Sequence, residues 1–365
     1  MTLAFREHVR IAFAPPHYIA LPLSGIDIST SGVKAVRLTH DACGLTLARY
    51  AEARLPSGAY VDGEIVDRTA IAHVLSTVAK AAGISSANVS LSESKSYLFE
   101  TTVPGTHSAE WRTIVEQHLD ELVPLPPPET AFDIVKVGQN KQGDSIVVGV
   151  GFARRIIDDT LSLFDQANIN VRALEGETFA SSRALLPHGD ESTALIIDVG
   201  RSTTKISIVA RRIPYFATTI GIGGHALTLA VQKHFGVTEA EARKIKAERG
   251  IVPAPGNEDY LSAMLSTVSA IRDEISHRLE YWQGKTALVG VHSPVSHAIL
   301  AGGNASVRGF SEYLEGTLRI PVATGEVFTN LASRDTWVPS LDYTESLAYA
   351  TAIGLALRDD TQSYA

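Results

Sequence analysis

Apolar residues along the chain recur with two different periods, and these periods predict an alternation of strands and helices. Short apolar runs that end in turn residues predict three strands, at 23–29, 33–39 and 46–55. A helix is predicted at 69–82, where apolar side chains share one face: Ile71, Val74, Leu75 and Val78. The chain therefore begins with a small sheet that is followed by a helix.

A different pattern begins near Asn88. It contains strands in "NVSLSES" and "YLFETTV", a helix at 108–122, the proline-rich break "VPLPPPE", two more strands and a helix at about 156–168. Strands mixed with two helices are typical of a small α+β unit. Because the earlier pattern resumes afterwards, we expect residues 87–172 to form a domain that is inserted into a larger one.

The early pattern of strand, turn and strand returns after Leu195, in "ALIIDVG", "KISIVA" and "YFATTIG". Four helices are predicted after these strands, near 225–235, 238–248, 259–282 and 343–357. "HAILAGGNA" predicts a buried strand that runs into glycines, and "LRIPVATG" predicts the last strand. The order indicates a duplicated unit with one insertion. A chain of 365 residues is longer than a single hydrophobic core usually supports, which agrees with this division.

Both copies of the strand–turn–strand unit carry the same polar pattern. "GIDISTSGVK" and "IIDVGRSTTK" each place a lysine seven positions after an aspartate, Asp27 to Lys34 and Asp198 to Lys205. Outward-pointing N–H groups and small hydroxyl side chains of such turns can cradle phosphate oxygens, and the aspartates can hold a hydrated Mg²⁺. The alternative is a pair of tight hairpins whose aspartates bond only their own turns.

Three further segments carry candidate binding chemistry. "IGIGGHALT" places Gly223 and Gly224 before a helix, whose free N–H groups could meet an anion. In "TEAEARKIK", Glu241 and the basic residues Arg243, Lys244 and Lys246 could hold ribose and adenine, or could form a solvated charged face. In "AILAGGNASVRGF", Gly302 and Gly303 would let a flat base lie against bare backbone.

Composition narrows the classes of function. The net charge of −8 and the lack of a basic stripe argue against a general nucleic-acid binder. A single cysteine, Cys43, rules out an internal disulfide framework and suits a reducing cytosol. No apolar run reaches the length of a membrane span, and residues 1–19 are predicted to be a loosely ordered lead-in. The chain lacks GxxxxGK[ST], HExxH and CxxC.

Taken in order, these segments resemble the actin/sugar-kinase/Hsp70 fold, a duplicated RNase H-like α/β architecture. The insertion resembles the small α+β (SHS2-like) domain of two families, the cell-division protein FtsA and the type IV pilus assembly protein PilM. "LDELVPLPPPETAFDIVKV" and the lead-in "FAPPHYIALPLSGIDIS" favour the PilM family. The resemblance implies a first subdomain at 20–86 plus 173–193, joined by 343–357, and a second domain at 194–342 whose helical part, about 225–285, contacts nucleotide.

The resemblance implies bound ATP with Mg²⁺ held by Asp27 and Asp198. It assigns nucleotide contacts to the turns and glycine segments: Asp27, Ser29, Thr30, Ser31, Gly32, Lys34, Asp198, Gly200, Ser202, Thr203, Thr204, Lys205, Gly223, Gly224, Glu241, Lys244, Gly302, Gly303 and Asn304. Family members commonly have glycine where this chain has Ser29. In the family, the residue that positions the attacking water belongs on the first connecting helix, which the resemblance places near 174–185. Glu177, or else Glu175, would take that role here, and as neither is the amide that actin uses, we expect at most a slow ATPase.

The function that the resemblance implies is a cytoplasmic ATP-binding scaffold of a type IV pilus or related type II secretion machine. It would bind the cytoplasmic tail of an inner-membrane PilN-like protein between the main and inserted domains, and so lie peripherally at the inner face of the membrane. The resemblance also allows contacts with other pilus assembly proteins and with further copies of this chain. The alternatives are an FtsA-like division adaptor and a small-molecule kinase. The first needs an amphipathic membrane anchor, which "AIGLALRDDTQSYA" does not resemble.

Overall fold

Strands and helices alternate along most of the structure, a computed structural model that describes residues 23–105, 108–289 and 293–359. The predicted lead-in at 1–19 lies outside these residues. The amino-terminal elements are β1 (Leu23–Ser29), β2 (Gly32–Asp41), β3 (Gly44–Ala53), β4 (Tyr60–Val61), β5 (Glu64–Ile65), α1 (Arg68–Ala82) and β6 (Ser86–Leu91). The next elements are β7 (Tyr97–Val103), α2 (Ser108–Gln117), α3 (Leu119–Leu122), β8 (Thr130–Gln139), β9 (Ser145–Ala153), α4 (Arg154–Gln166), β10 (Asn170–Gly176) and α5 (Glu177–Leu185).

The carboxyl-terminal part repeats the opening order of three strands before its helices begin. Its elements are β11 (Thr193–Val199), β12 (Thr204–Ala210), β13 (Ile213–Ile220), α6 (Gly224–Phe235), α7 (Glu239–Arg249), α8 (Glu258–Val289), β14 (His297–Ala301), α9 (Phe310–Leu318), β15 (Val322–Thr324), α10 (Tyr343–Ser346) and α11 (Ala350–Ala356). Among the described helices, none combines the length and the apolar character that crossing a membrane requires.

Two five-stranded sheets have the same design. Their strand orders are β10–β6–β1–β2–β3 and β13–β12–β11–β14–β15. In each sheet the first hairpin is antiparallel, and its leading strand pairs in parallel with a later strand on the other side. The hairpin registers match as well, because Asp27 lies opposite Lys34 and Asp198 lies opposite Lys205. The duplicated unit that the sequence predicted is therefore present as two equivalent sheets.

The last helix, α11, packs tightly between the first sheet and α5. A Cβ atom on Gly354 would lie 1.7 Å from the Ala180 carbonyl oxygen, and one on Gly25 would lie 2.1 Å from the Ala352 carbonyl oxygen. Both contacts are to backbone, so neither neighbour can turn aside as a side chain would. These glycines let α11 pack closely against the first half of the molecule.

Strands β7, β8 and β9 form a separate antiparallel sheet in the order β7–β9–β8, and α2 follows β7. This strand–helix–strand–strand unit, residues 97–153, is called the inserted module below. It has its own apolar core, which includes Phe99, Val115, Leu119, Phe132 and Val147. Tyr97 pairs with Gly151, so the two ends of the module lie side by side.

The compact module is shorter than the predicted insertion at 87–172. Strands β6 and β10, at the two ends of the predicted insertion, pair with each other, and β6 pairs with β1 in the first sheet. Helix α4 places Leu163 and Phe164 in the core that contains α1. Long-range pairing of β6 and β10 thus assigns the flanking segments to the main body.

Three predicted helices also differ from the structure. The helix expected at 343–357 is divided into α10 and α11 by the 3₁₀ turn Leu347–Tyr349. The helix expected at 108–122 is divided at His118, whose φ of −115° is not helical. The connecting helix expected at 174–185 begins only at Glu177, because residues up to Gly176 pair in parallel with β6. This shorter helix places Glu177 at the first turn of α5, directly after a strand end.

Candidate functional site

The two Asp–Lys hairpins face one cavity of about 580 Å³. The structure brings fourteen of the residues selected from the sequence to its wall: Asp27, Ser29, Thr30, Ser31, Gly32, Lys34, Asp198, Gly200, Thr203, Lys205, Gly224, Gly302, Gly303 and Asn304. These residues come from both sheets and are up to 277 positions apart, from Asp27 to Asn304. The cavity is therefore a product of the duplicated fold and not of one local motif.

The first turn is held by its own hydroxyl groups. Ser29 Oγ lies 2.8 Å from Ser31 Oγ and donates to the Gly32 carbonyl at 3.2 Å. The Asp27 carboxylate is buried and accepts a hydrogen bond of 2.7 Å from Ser90 Oγ on β6. This aspartate is thus fixed from a neighbouring strand, which differs from the simple-hairpin alternative in which it bonds its own turn.

The second turn is closed by its backbone. Gly200 N–H donates to the Thr203 carbonyl at 3.0 Å, and a Cβ on Gly200 would lie 2.9 Å from that oxygen. Thr203 lines the cavity, whereas Thr204 turns away and donates its hydroxyl to the Ile222 carbonyl at 2.7 Å. Ser202 is exposed and is not part of the cavity wall. The hydroxyl contribution of this turn to the cavity therefore comes from Thr203.

Lys205 carries the positive charge between the two turns. Its Nζ lies 2.9 Å from Glu177 Oε1 and 3.9 Å from Asp198 Oδ2. Burial alone would lower the pKa of Lys205, but the carboxylates of Glu177, Asp198 and Asp27 outweigh it and raise that pKa. Lys205 is therefore a permanently charged group at the floor of the cavity.

Glu177, the candidate catalytic residue, is only 3% exposed and does not line the cavity directly. Burial raises the pKa of its carboxyl to about 7, against the opposing effect of the Lys205 ammonium. Both oxygens are in use, because Oε1 pairs with Lys205 and Oε2 accepts 2.9 Å from the Glu93 N–H. Glu175, the other candidate, forms a bidentate pair with Arg183 on the far side of α5.

The glycine segment after β14 forms the opposite wall. Gly302 has a φ of +88°, and a Cβ there would lie 2.3 Å from Asp198 Oδ1, so glycine is needed for the close approach. Asn304 donates to the Gly200 carbonyl at 2.9 Å and accepts 2.8 Å from Lys246 Nζ. The segment is thereby tied to the second turn.

Lys246, one of the basic candidates in "TEAEARKIK", lines the cavity, whereas the contacts implied by the resemblance named Lys244. Lys246 lies in the buried face of α7, donates to the Gly224 carbonyl at 3.0 Å, and has its pKa lowered to about 8 by burial and by Arg243. Its spacing of four residues from buried Ala242 was the available signal. Arg243, another of those basic candidates, also lines the cavity, and the wall residues that the sequence did not single out are Glu52, Arg54, Arg201, His225, Thr228, Ser306, Thr344 and Thr351.

Glu241 and Lys244 do not reach the cavity. Glu241 completes a capping box with Thr238 at the start of α7. The Lys244 side chain is 78% exposed and lies 4.0 Å from Glu248. For these two residues the solvated-face alternative describes the structure, and Arg243 and Lys246 occupy the inward positions.

The expectation of free N–H groups after Gly223 was also wrong. Gly224 N–H donates to the Gly200 carbonyl at 2.9 Å, and His225 N–H donates to the Arg201 carbonyl at 2.8 Å. A Cβ on Gly223 would lie 2.7 Å from Arg201 O, and one on Gly224 would lie 2.0 Å from Asn304. These glycines therefore pack α6 against the second turn and do not present N–H groups to an anion.

The carboxylates that face the cavity suit a hydrated magnesium ion. Asp27 and Asp198 reach it from opposite turns. Across the described residues, no group of three or more His, Cys, Asp or Glu side chains could hold a metal on its own. Mg²⁺ commonly takes one or two carboxylates and completes its shell with water and phosphate oxygens, so this donor set fits an ion that arrives with a phosphate ligand.

A second cavity, of about 760 Å³, lies between the inserted module and the first half of the main body. We call it the module cleft. The apolar part of its wall comes from β6, β8, β9, β10 and the first turns of α5: Leu91, Ala131, Phe132, Ile134, Val135, Val148, Val150, Phe152, Leu174 and Phe179. Strands β8 and β10 are edge strands, so within the described residues one side of each has no neighbouring strand, although the Phe132 carbonyl accepts 2.9 Å from Arg112.

The wall of the module cleft also carries charges of both signs and a strained turn. Arg211 and Arg212 form the β12–β13 turn with φ values of +51° and +65°, a left-handed conformation that non-glycine residues seldom adopt. Arg212 Nε is buried without a hydrogen-bond partner among the described residues, and Asp190 and Glu191 line the same cavity. The cleft thus combines apolar walls with a region of mixed charge.

The chain is similar to known proteins both in sequence and in structure. The sequence model of the family "Type IV pilus assembly protein PilM" matches residues 25–360. A structure of a PilM–PilN type IV pilus biogenesis complex superposes with a TM-score of 0.74 at 18% identity, covering 94% of this chain and 98% of that one.

Two more distant structures share the fold. The ethanolamine utilization protein EutJ from Carboxydothermus hydrogenoformans superposes with a TM-score of 0.55 at 15% identity, and the match covers 93% of this chain and 90% of EutJ. MreB5 of Spiroplasma citri bound to ADP superposes with a TM-score of 0.54 at 13% identity, and the match covers 94% of this chain and 97% of MreB5. The actin-like fold predicted from the sequence is confirmed, and the match over residues 25–360 shows that this chain belongs to the type IV pilus assembly protein PilM family.

Proposed function

We propose that the chain is an actin-like scaffold of type IV pilus assembly that binds Mg-ATP in the cavity between its two turns. In the module cleft it holds the cytoplasmic tail of an inner-membrane PilN-like protein. The observation that carries the proposal is the convergence of both Asp–Lys turns and the Gly302–Gly303 segment on one cavity. MreB5, which shares the fold, has been determined with ADP bound.

The cavity offers a distinct group for each part of a nucleotide. Thr30, Ser31 and Thr203 supply hydroxyls for phosphate oxygens, and Lys34 and Lys205 supply positive charge. Asp27 and Asp198 would hold the magnesium ion, which lowers the charge repulsion of the phosphates. Gly303 leaves the opposite wall without a side chain, which suits a flat base.

The module cleft suits a short extended peptide with apolar side chains. Its volume and apolar walls would take several side chains, and the free edge of β8 could accept a backbone in strand pairing. The structurally similar PilM–PilN complex contains a PilN partner. Through such a partner the protein would lie at the inner face of the membrane. The family match favours this role over an FtsA-like adaptor.

Binding of a fluorescent peptide with the sequence of the PilN-like protein's cytoplasmic tail tests the partner assignment. Val135 on β8 lines the cleft and is 40% exposed. We expect Val135→Asp to weaken peptide binding about tenfold or more, because burying an apolar side chain stabilises by about 1.5 kcal/mol or more and a buried charge adds a cost. Fluorescence anisotropy measures the dissociation constants.

Val61→Asp is the matched control for that experiment. Val61 is 48% exposed, lies on β4 and does not line the cleft. Its variant should bind the peptide within about twofold of the unmodified chain. Saturable binding that both variants weaken equally, or that neither weakens, would place the partner elsewhere.

ATP turnover is expected to be slow or absent, well below the ~1–10³ s⁻¹ of ordinary enzymes. A residue that positions water needs a free oxygen, and both oxygens of Glu177 are occupied by Lys205 and the Glu93 N–H. Phosphate release under saturating Mg-ATP measures the rate. Release at several per second would contradict this expectation, and loss of that activity in Glu177→Ala would then assign the catalytic role.

A further inference from the structure

The nucleotide cavity and the module cleft lie on two sides of the first turn of α5. Lys205 lines the cavity and is paired with Glu177. Gly176 and Phe179, which flank Glu177 and Thr178, line the module cleft. Glu177 and Thr178 themselves line neither cavity. Their neighbours do, because Lys205 lines the first cavity and Phe179 lines the module cleft.

This turn is bound reciprocally to the short helical turn Glu93–Lys95, which leads into the inserted module. Glu93 N–H donates to Glu177 Oε2 at 2.9 Å. In return, Glu93 Oε2 accepts 3.1 Å from the Thr178 N–H and 2.5 Å from the Thr178 hydroxyl. Each carboxylate thus satisfies the backbone at the start of the other's helical turn.

The three side chains of this contact are almost completely buried. Glu93, Glu177 and Thr178 are 6%, 3% and 4% exposed. A buried carboxylate that loses a partner is left unsatisfied at a cost of about 1–3 kcal/mol or more, so these groups favour moving together over separating. Ser96, the residue before β7, also donates to the Glu93 carboxylate.

We propose that the Glu93–Glu177–Thr178 contact is the joint that couples the nucleotide cavity to the module cleft. Phosphates in the cavity attract the Lys205 ammonium, and any movement of Lys205 acts on Glu177. Glu177 carries the displacement to the Glu93 turn, and Thr178 carries it to Phe179 in the wall of the cleft. The inference rests on the proposed function, because it presumes that both cavities bind their ligands.

Such coupling has a measurable size. Two sites joined by one mobile element typically change each other's affinity about 5–150-fold, and the factor is the same in both directions. We expect Mg-AMPPNP to change the dissociation constant of the fluorescent tail peptide by at least fivefold. The peptide should change the dissociation constant of the nucleotide by the same factor.

Two variants weaken the joint without touching either cavity. Thr178→Val removes the hydroxyl that donates to Glu93, and Glu93→Ala removes the carboxylate that accepts from Thr178. Thr160→Val is the matched control, because Thr160 is also buried, at 8% exposed, and its hydroxyl donates within α4 to the Ile156 carbonyl. We expect each ligand alone to bind the joint variants within about threefold of the unmodified chain. Their coupling factor should fall to about twofold or less, while Thr160→Val keeps the full factor.

Different outcomes overturn the joint and the proposed function. An unchanged coupling factor in both folded joint variants, or a factor near one in the unmodified chain when both ligands bind, overturns the joint and leaves the proposed function intact. Failure of the unmodified chain to bind nucleotide or peptide overturns the proposed function, and the joint with it. Circular dichroism and thermal unfolding establish that each variant is folded.

Discussion

Asp198→Ala is expected to weaken binding of Mg-ATP about 10–100-fold, while Ser29→Gly changes it by less than about threefold. The Asp198 carboxylate faces the cavity and is the candidate ligand of the magnesium ion, and charge-assisted contacts of this kind contribute about 1.5–3 kcal/mol. The Ser29 hydroxyl is bonded within its own turn, to Ser31 and Gly32. Its removal leaves the charges of the cavity as they were.

Isothermal titration with magnesium and again with EDTA separates the metal effect from other losses. Asp198 also lies 3.9 Å from Lys205, so its removal changes the local charge without metal. The loss in Asp198→Ala should therefore be several-fold larger in magnesium than in EDTA. Equal affinity of Asp198→Ala and the unmodified chain in magnesium would refute the metal role.

Deleting the inserted module is expected to abolish capture of the PilN-like tail and to leave ATP affinity within about tenfold. Residues 97–153 supply the β8 and β9 walls of the module cleft, and none of them lines the nucleotide cavity. A short Gly/Ser linker can join Ser96 to Arg154, because Tyr97 and Gly151 are paired neighbours. Peptide anisotropy and ATP titration on the same preparation measure both effects.

The structure decides which residues to remove in that experiment. A deletion of 87–172, the insertion expected from the sequence, would take out most of β6 and the α4 residues Leu163 and Phe164 of the main core. Loss of ATP binding would then report unfolding. With the shorter deletion, a folded protein that loses ATP affinity but still captures the tail would place the partner site on the main body and overturn the assignment.

What the sequence determined by itself is the part of the protein that depends on neighbours along the chain. Each Asp–Lys hairpin closes within ten residues, so its polar pattern and register follow from local alternation and turn chemistry. The repetition of that hairpin, the glycines after β14 and the insertion between the halves carried the resemblance to the actin-like fold, and "LDELVPLPPPETAFDIVKV" with the lead-in carried the resemblance to the PilM family. Local pattern identified these residues, and the duplicated fold then brought fourteen of them to one cavity.

The tertiary structure decided what depends on distant segments. Parallel pairing of β10 with β6 joins residues about eighty positions apart. Because of this pairing, the inserted module is shorter and α5 begins later than the sequence predicted. The helical pattern of α7 did not show that Lys246, and not Lys244, points inward, because its partners are Gly224 and Asn304 on other elements. The N–H groups of Gly224 and His225 are taken by carbonyls of the second turn. Buried polar groups must be satisfied by whichever neighbours the fold supplies, and those neighbours are specified only when the chain has folded.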